Sequence, residues 1–261
     1  MTLSKKLSMS QDTTVLSKLK KLLYEAEDFA LATVIETWGS APKPIGSMLT
    51  VTKSGEIFGS VSGGCVEGAV ITEAIEAMKY NKCKVLSFGI SNEEAFQVGL
   101  ACGGEIKILL EPISRTAKLT RERLMAFLKE YERGNLAICR IDLTSFERQV
   151  LNTGDEEFSK VPSRKLDLRT SFLLSKTFFS VLYPKHKLII VGAVHIAQYL
   201  NKLANLFEYK VFVVDPRSIF ASKKRFPATK IFAEWPDLAL NEINLDRDSA
   251  LVTLTHDPKI D

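Results

Sequence analysis

Residues 187–215 constrain this chain more than any other stretch. Lys187–Val191 reads as a buried strand and Gly192 opens a turn; 196–207 carries a helical period, and Lys210–Val214 reads as a second buried strand ending at Asp215. Apolar runs without alternation belong to strands covered on both faces. Two such strands joined through a helix lie parallel in one sheet. Residues 251–255 read as a later strand of the same kind. The expectation is an α/β protein whose C-terminal domain, 184–261, is a Rossmann-like parallel sheet that is cut short.

The residues before it follow a different plan. Val15, Leu16, Leu19, Leu22 and Leu23 recur at three- and four-residue spacing, which predicts a helix. Residues 29–36 read as a strand that runs into a loop over 38–46, where two prolines and two glycines exclude regular structure. Two short strands flank a turn at Gly55, an alanine-rich helix runs to Tyr80, and strands are expected at 84–88, 106–110 and 136–141, with a charged helix at 121–132. We read 10–142 as a mixed α/β domain. From 145 to 169 the sequence turns polar and loses its period, so 143–183 is expected to connect the domains, with room for a short hairpin.

Composition excludes several function classes. Basic residues number 35 against 31 acidic, a net charge of +4 that is spread along the chain and argues against nucleic acid. No apolar stretch approaches the roughly 20 residues a membrane span needs, and the N-terminus lacks the apolar core of a signal peptide. Four dispersed cysteines without a CxxC pair fit free thiols in a reducing cytoplasm, and three histidines are few for a structural zinc site.

Two glycine-flanked cysteines carry the candidate chemistry. Cys65 follows Gly63-Gly64 at the expected first turn of a helix, where unpaired N–H groups and the helix dipole favour an anion and a thiolate. Cys102 precedes Gly103-Gly104 on a loop entering a strand, where missing side chains leave the sulfur approachable. Both placements suit a ligand that combines phosphate with a soft metal. Each cysteine taken alone is as readable as a small packed residue. Cys83 and Cys139 lie in or beside expected strands and are assigned to the core. Lys43, in the proline-rich loop, is a candidate anion contact.

In the C-terminal region Gly192-Ala193-Val194-His195-Ile196-Ala197 stands where a dinucleotide fold places G-x-G-x-x-G/A. Asp215 lies where a ribose-binding acid belongs, and His195 is a candidate ligand or acid/base group at the helix start. Val194 takes the position of the middle glycine and is expected to crowd a pyrophosphate or to resist a positive φ. The fold signal is therefore stronger than the nucleotide-binding signal at Gly192, His195 and Asp215.

Three segments together are specific. Gly39-Ser40-Ala41-Pro42-Lys43-Pro44-Ile45-Gly46, Gly59-Ser60-Val61-Ser62-Gly63-Gly64-Cys65-Val66-Glu67 and Val98-Gly99-Leu100-Ala101-Cys102-Gly103-Gly104 resemble, in wording and order, the XdhC/CoxI family. Asp215-Pro216-Arg217 and Arg225-Phe226-Pro227 resemble that family's Rossmann-like domain. The resemblance implies a xanthine dehydrogenase accessory factor, more a cofactor chaperone than an enzyme. It would bind molybdenum cofactor and deliver it to a molybdenum hydroxylase of the xanthine dehydrogenase type. It implies cofactor binding by Cys102 first and Cys65 second, with Ser62, Gly63, Gly64, Gly103, Gly104 and Lys43 around them, and Cys102 as ligand to the cofactor's molybdenum. A cysteine desulfurase as sulfur donor and a homodimer follow from the same resemblance. Lys43 stands where the family usually has arginine, which keeps the charge and loses the bidentate fork. Two other readings stay open: an NAD(P)-dependent oxidoreductase working through the Rossmann-like domain, and a cofactor-free regulatory or structural relative.

Overall fold

A computed structural model describes residues 13–39, 41–64, 66–90, 104–152, 154–166 and 169–255. The chain divides into two compact units, Met1–Pro184 and Lys185–Asp261. No helix among the described residues is long and apolar enough to cross a membrane.

The first unit is built on a five-stranded antiparallel sheet of β1 (Phe29–Gly39), β2 (Met48–Thr52), β3 (Ile57–Gly59), β4 (Lys84–Ile90) and β5 (Gly104–Ile113), in the order β3-β2-β1-β5-β4. Along β1 the side chains alternate. Phe29, Leu31 and Ile35 enter one apolar layer and Ala30, Ala32 and Val34 the other. The alanine face lets helix α2 (Glu67–Tyr80) lie close, because α2 presents Val70, Ala74 and Ala77 to it. A bulge between Val34 and Glu36 then shifts the register of β1 against β5, where the strand leaves the core.

On the opposite face lie α1 (Thr13–Tyr24), α3 (Lys118–Glu132) and a second sheet. Helix α1 buries Leu16, Leu19, Leu22 and Leu23 as its spacing predicts. Its last carbonyls are capped from a distance. The guanidinium of Arg121, on α3, donates to Leu22 O at 2.7 Å, Leu23 O at 2.9 Å and Glu27 O at 2.8 Å. A cation on orphan carbonyls both satisfies them and complements the helix dipole.

The segment expected from its polarity to connect two domains, 143–183, carries β7 (Arg148–Leu151), α4 (Glu156–Ser159), α5 (Ser163–Leu166), β8 (Phe172–Leu174) and β9 (Thr177–Leu182). With β6 (Ala137–Asp142) these strands form a four-stranded antiparallel sheet, β7-β6-β9-β8, within the first unit. Its outer face is covered by Val161, Phe158 and Leu166 around the stacked rings of Phe172 and Phe179. The polar residues occupy turns, as where the Asp142 carboxylate accepts the Thr144 and Ser145 N–H groups.

One buried ion pair joins the two sheets. Arg148 Nη2 donates to Glu111 Oε2 at 2.5 Å, and Nη1 donates to Cys139 Sγ at 3.5 Å. Glu111 belongs to β5, Arg148 to β7 and Cys139 to β6, and all three are buried. Burial pushes the Cys139 thiol up. Half-buried Cys83 is pushed up to about 11, first by burial and then by the Glu111 charge. Both cysteines assigned to the core are therefore protonated packing groups at neutral pH.

The second unit is a parallel sheet of β10 (Lys187–Val191), β11 (Lys210–Val214), β12 (Lys230–Phe232) and β13 (Ser249–Thr253), ordered β12-β11-β10-β13. Helix α6 (His195–Leu206) joins β10 to β11 and α7 (Pro236–Ile243) joins β12 to β13. Leu188, Ile190, Val211 and Val213 pack with Ala197 and Ala204 on one side, and Ile189, Val191, Phe212 and Val214 with Ala239 and Ile243 on the other. Strand order reverses between β10 and β13, the place where a doubly wound sheet opens its crevice.

Removing one member of the Glu111–Arg148 pair leaves a charge buried without its partner. Arg148→Met or Glu111→Gln is expected to cost about 3–5 kcal/mol in urea denaturation, and Glu111→Leu combined with Arg148→Met is expected to cost clearly less than either alone.

Candidate functional site

The described residues of the first two motif segments and Gly104, the last residue of the third, meet at one end of the five-stranded sheet. Gly39, the last residue of β1, is the cross-strand partner of Gly104, the first residue of β5, and Gly104 pairs on its other side with Ile90. The 41–46 loop folds back on β1 through Gly46 N–H to Val34 O at 2.8 Å and Val34 N–H to Ser47 O at 2.9 Å. A Cβ on Gly63 would lie 3.7 Å from Cβ of Pro42, so the second motif rests against the first. Trp38 projects from this rim, 74% exposed. Beside it Lys107 Nζ pairs with Glu36 Oε2 at 2.7 Å. Lys43 is half-exposed in the loop and has no acidic partner among the described residues. Cys65, Cys102 and Gly103 lie outside the described residues; Ser62, Gly63, Gly64 and Gly104 lie within them.

The turn ahead of α2 differs from the expected open anion site, because it already holds an anion. Glu67 Oε1 accepts from Ser60 Oγ at 2.7 Å and from the N–H groups of Val61 at 3.2 Å, Ser62 at 2.8 Å and Gly63 at 3.0 Å. Oε2 accepts from Gly64 N–H at 2.8 Å and from the Ser62 hydroxyl. Gly63 and Gly64 make this possible with φ of +79° and +121°, which turn successive N–H groups to one point. Burial alone would raise the Glu67 carboxyl, but the donors of Ser62, Ser60 and Gly64 outweigh it and bring the group down to about 2. The helix itself starts at Glu67, two residues beyond position 65. The N–H groups of Val61 to Gly64, ahead of the helix, are thus engaged by the chain's own carboxylate.

Glu67 does not stand out in the sequence because its spacing does not match a familiar cap. The capping box S/T-x-x-E sets the acid three residues after the serine, whereas here the serines stand five and seven residues before it. The repeated serines and the double glycine are the available signal.

The second glycine turn follows the same logic. Asp215 is fully buried. Its Oδ2 accepts Ala193 N–H at 2.8 Å and Arg217 Nη2 at 2.8 Å, and its Oδ1 accepts Arg217 N–H and Nε, both at 2.9 Å. Burial opposes ionisation, yet the Arg217 and Ala193 donors hold the carboxyl below its ordinary value. Arg225 Nη1 donates to Ala193 O at 2.7 Å and fixes the turn from the other side. An aspartate engaged on both oxygens has little left for a ribose hydroxyl. Val194 adopts φ −73° and ψ −178°, so valine is unstrained there. The positive φ falls instead on Gly192, at +100°, where a Cβ would meet Thr255 Cγ2 at 2.6 Å. Gly192 is thus required by the close passage of the chain leaving β13. His195 is exposed at the first turn of α6, its ring 5.2 Å from that of Tyr199. Asp215 and Gly192 thus have roles in the fold of the second unit. Among the described residues no three His, Cys, Asp or Glu side chains group as metal ligands.

These features define a class: a two-unit α/β protein with a glycine-bearing rim on the first unit and a Rossmann-type sheet of order 3-2-1-4 as the second. A model of the XdhC and CoxI family matches residues 22–89, and a model of the XdhC Rossmann domain matches residues 188–261, together more than half of the chain. The chain belongs to the XdhC/CoxI family. It is 24% identical over 248 residues to a probable xanthine dehydrogenase subunit of Bacillus subtilis (strain 168), covering 91% of this chain and 75% of that one. It is 33% identical over 100 residues to the molybdenum cofactor insertion chaperone PaoD of Escherichia coli (strain K12), covering 38% of this chain and 31% of PaoD. The crystal structure of a xanthine dehydrogenase from Bacillus halodurans superposes with a TM-score of 0.74 at 22% identity, over 94% of this chain and 75% of that one, which establishes the shared fold.

A group whose folded-state value is depressed stabilises the fold above its unfolded value and loses that contribution as pH falls toward the folded one. Glu67 is lowered from 4.5 to about 2, so its contribution is complete above pH 4.5 and disappears between 4.5 and 2. Denaturation at a series of pH values is expected to show a shallower loss of stability across this window in Glu67→Gln than in the parent.

Proposed function

We propose that this chain binds molybdenum cofactor as cargo and delivers it to a molybdenum hydroxylase of the xanthine dehydrogenase type. The observation that carries the reading is the convergence of the described residues of the first two motif segments with Gly104, the last residue of the third, where Gly39 and Gly104 pair and Gly63 rests on Pro42. The names of two relatives, one a cofactor insertion chaperone and the other a probable component of xanthine dehydrogenase, support the same reading.

In this proposal Cys102 and Cys65 are the cofactor-binding thiols, with Cys102 the ligand to molybdenum, and Ser62, Gly63, Gly64, Gly103 and Gly104 shape the loops that carry them. Lys43, whose ammonium has no acidic partner among the described residues, is the candidate for the cargo's phosphate. Residues 10–142 hold the cargo, and 184–261 form the Rossmann-like domain. A cysteine desulfurase would supply sulfur to the cofactor, a homodimer would be the working form, and the cytoplasm its place, in keeping with the free thiols of Cys83 and Cys139.

Incubation with cofactor released from a molybdenum enzyme, followed by assay of molybdenum and molybdopterin, tests the proposal. The parent is expected to retain about one cofactor per chain, Cys102→Ala to retain almost none, and Cys65→Ala to fall about tenfold in affinity. Equal retention by parent and both variants refutes the site assignment.

Asp215 weighs against the oxidoreductase alternative, because both of its oxygens are engaged by Arg217 and Ala193. Titration of the intact chain with NADH or NADPH, followed by nicotinamide fluorescence, is expected to show no saturable binding.

A further inference from the structure

We infer that Trp38 and Glu105 form a ring-recognition platform: the indole stacks on the pterin of the cargo, and the carboxylate accepts the N–H groups along its 2-amino-4-oxopyrimidine edge. The inference deepens the cofactor-binding reading above and rests on it.

From the bulge in β1 to the rim, β1 and β5 pair Glu36 with Lys107, Thr37 with Ile106, Trp38 with Glu105 and Gly39 with Gly104. Cross-strand partners share a face, and successive residues alternate between faces. Ile106 belongs to the apolar layer that α2 covers. Glu36, Lys107, Trp38 and Glu105 therefore stand together on the opposite face. The Lys107–Glu36 pair, at 2.7 Å, occupies the inner half of this shelf. The outer half sets an exposed indole beside an exposed carboxylate. Among the described residues no aromatic ring stacks on Trp38. On the far side Glu105 is the partner of Gly89 in β4, where a Cβ would stand 3.3 Å from Glu105 Cγ. The glutamate arm thus leans over β4 and leaves its carboxylate to one side of the indole. Gly39 and Gly104, next along the ladder, put no side chain over the platform.

An indole face stacks on any fused heteroaromatic ring and chooses little among them. A carboxylate at its side adds the choice, because two oxygens match two adjacent N–H donors. A pterin presents such a pair in N3–H and its 2-amino group, and a guanine presents the same pair. The platform adjoins the rim to which the cargo is assigned, which selects the pterin.

The intact chain carries two tryptophans, so a Trp235→Phe parent makes the emission report on Trp38. It is titrated with 6-hydroxymethylpterin and with the corresponding lumazine, in which a 2-oxo group replaces the 2-amino group. Quenching of Trp38 and the anisotropy of the ligand's own fluorescence follow binding, and GMP is measured by competition. The pterin is expected to bind saturably and the lumazine about tenfold more weakly. Trp38→Ala is expected to weaken pterin binding about tenfold, and Trp38→Phe less. Glu105→Gln is expected to bind pterin and lumazine about equally, a loss of discrimination that a merely structural glutamate would not produce. Parent-like affinities in both Trp38→Ala and Glu105→Gln overturn the inference. So does GMP bound more tightly than the pterin, because the shared edge would then serve a guanine nucleotide. Should Trp38→Ala fail to fold, Trp38→Phe replaces it, with a smaller loss expected and no loss counting against. Cofactor uptake, measured in parallel, separates this inference from the cargo reading. A parent that takes up cofactor but binds no free pterin overturns the platform alone. A parent that binds free pterin through Trp38 and Glu105 but takes up no cofactor refutes the cargo reading and leaves the ring recognition standing.

Discussion

A backbone N–H removed from water must find an acceptor, and at both glycine turns of this chain that acceptor is a carboxylate from the chain itself. Glu67 closes the turn ahead of α2 and Asp215 closes the turn after β10. The consequence reaches beyond local stability. A glycine-rich turn before a helix is usually read as a cradle for phosphate, since its N–H groups point outward to meet an anion. Here the anion is covalently part of the protein, and it takes the N–H groups of Val61 to Gly64 at the first turn and that of Ala193 at the second. The rim of the first unit and the turn of the second depend on this for their shape.

The same requirement is met with opposite charge elsewhere. Arg121 reaches from α3 to the last carbonyls of α1, and Arg148 crosses from β7 to Glu111 on β5. These contacts join elements far apart in sequence. Arg121 is 99 residues from Leu22, and Arg148 is 37 from Glu111. Apolar layers bring the sheets and helices together, but they tolerate sliding. A forked cation on fixed oxygens does not. The rim where Gly39 meets Gly104 inherits its precision from a sheet held in this way.

Much of this is legible in the sequence because it is periodic. The leucines of α1, the alternation in β1, and the unbroken apolar runs of β10 and β11 each declare their element and the face it buries. The second sheet of the first unit is not legible. Its strands β7 and β8 are four and three residues long, too short for a period, and the polar turns between them outweigh the apolar residues in any window. At the site, the three motifs announce themselves by composition, while the group that holds the second one does not. Glu67 is visible as part of a motif, yet its role depends on a turn geometry that only the two glycines together create. Val194 misleads in the opposite sense. It breaks a glycine pattern, but the positive φ belongs to Gly192.

The two carboxylates also differ in a way that bears on function. Asp215 is buried and paired with Arg217, so its charge is neutralised where it stands. Glu67 has no such cation among the described residues. Its charge is balanced there by N–H and O–H dipoles, on a half-exposed turn beside a rim that displays an indole and a lysine. Dipoles hold a carboxylate in place without cancelling its field, so this corner remains locally negative while Lys43 on the adjoining loop is positive. At the Rossmann-type turn a guanidinium pairs with the carboxylate directly, so the two turns present different local charge.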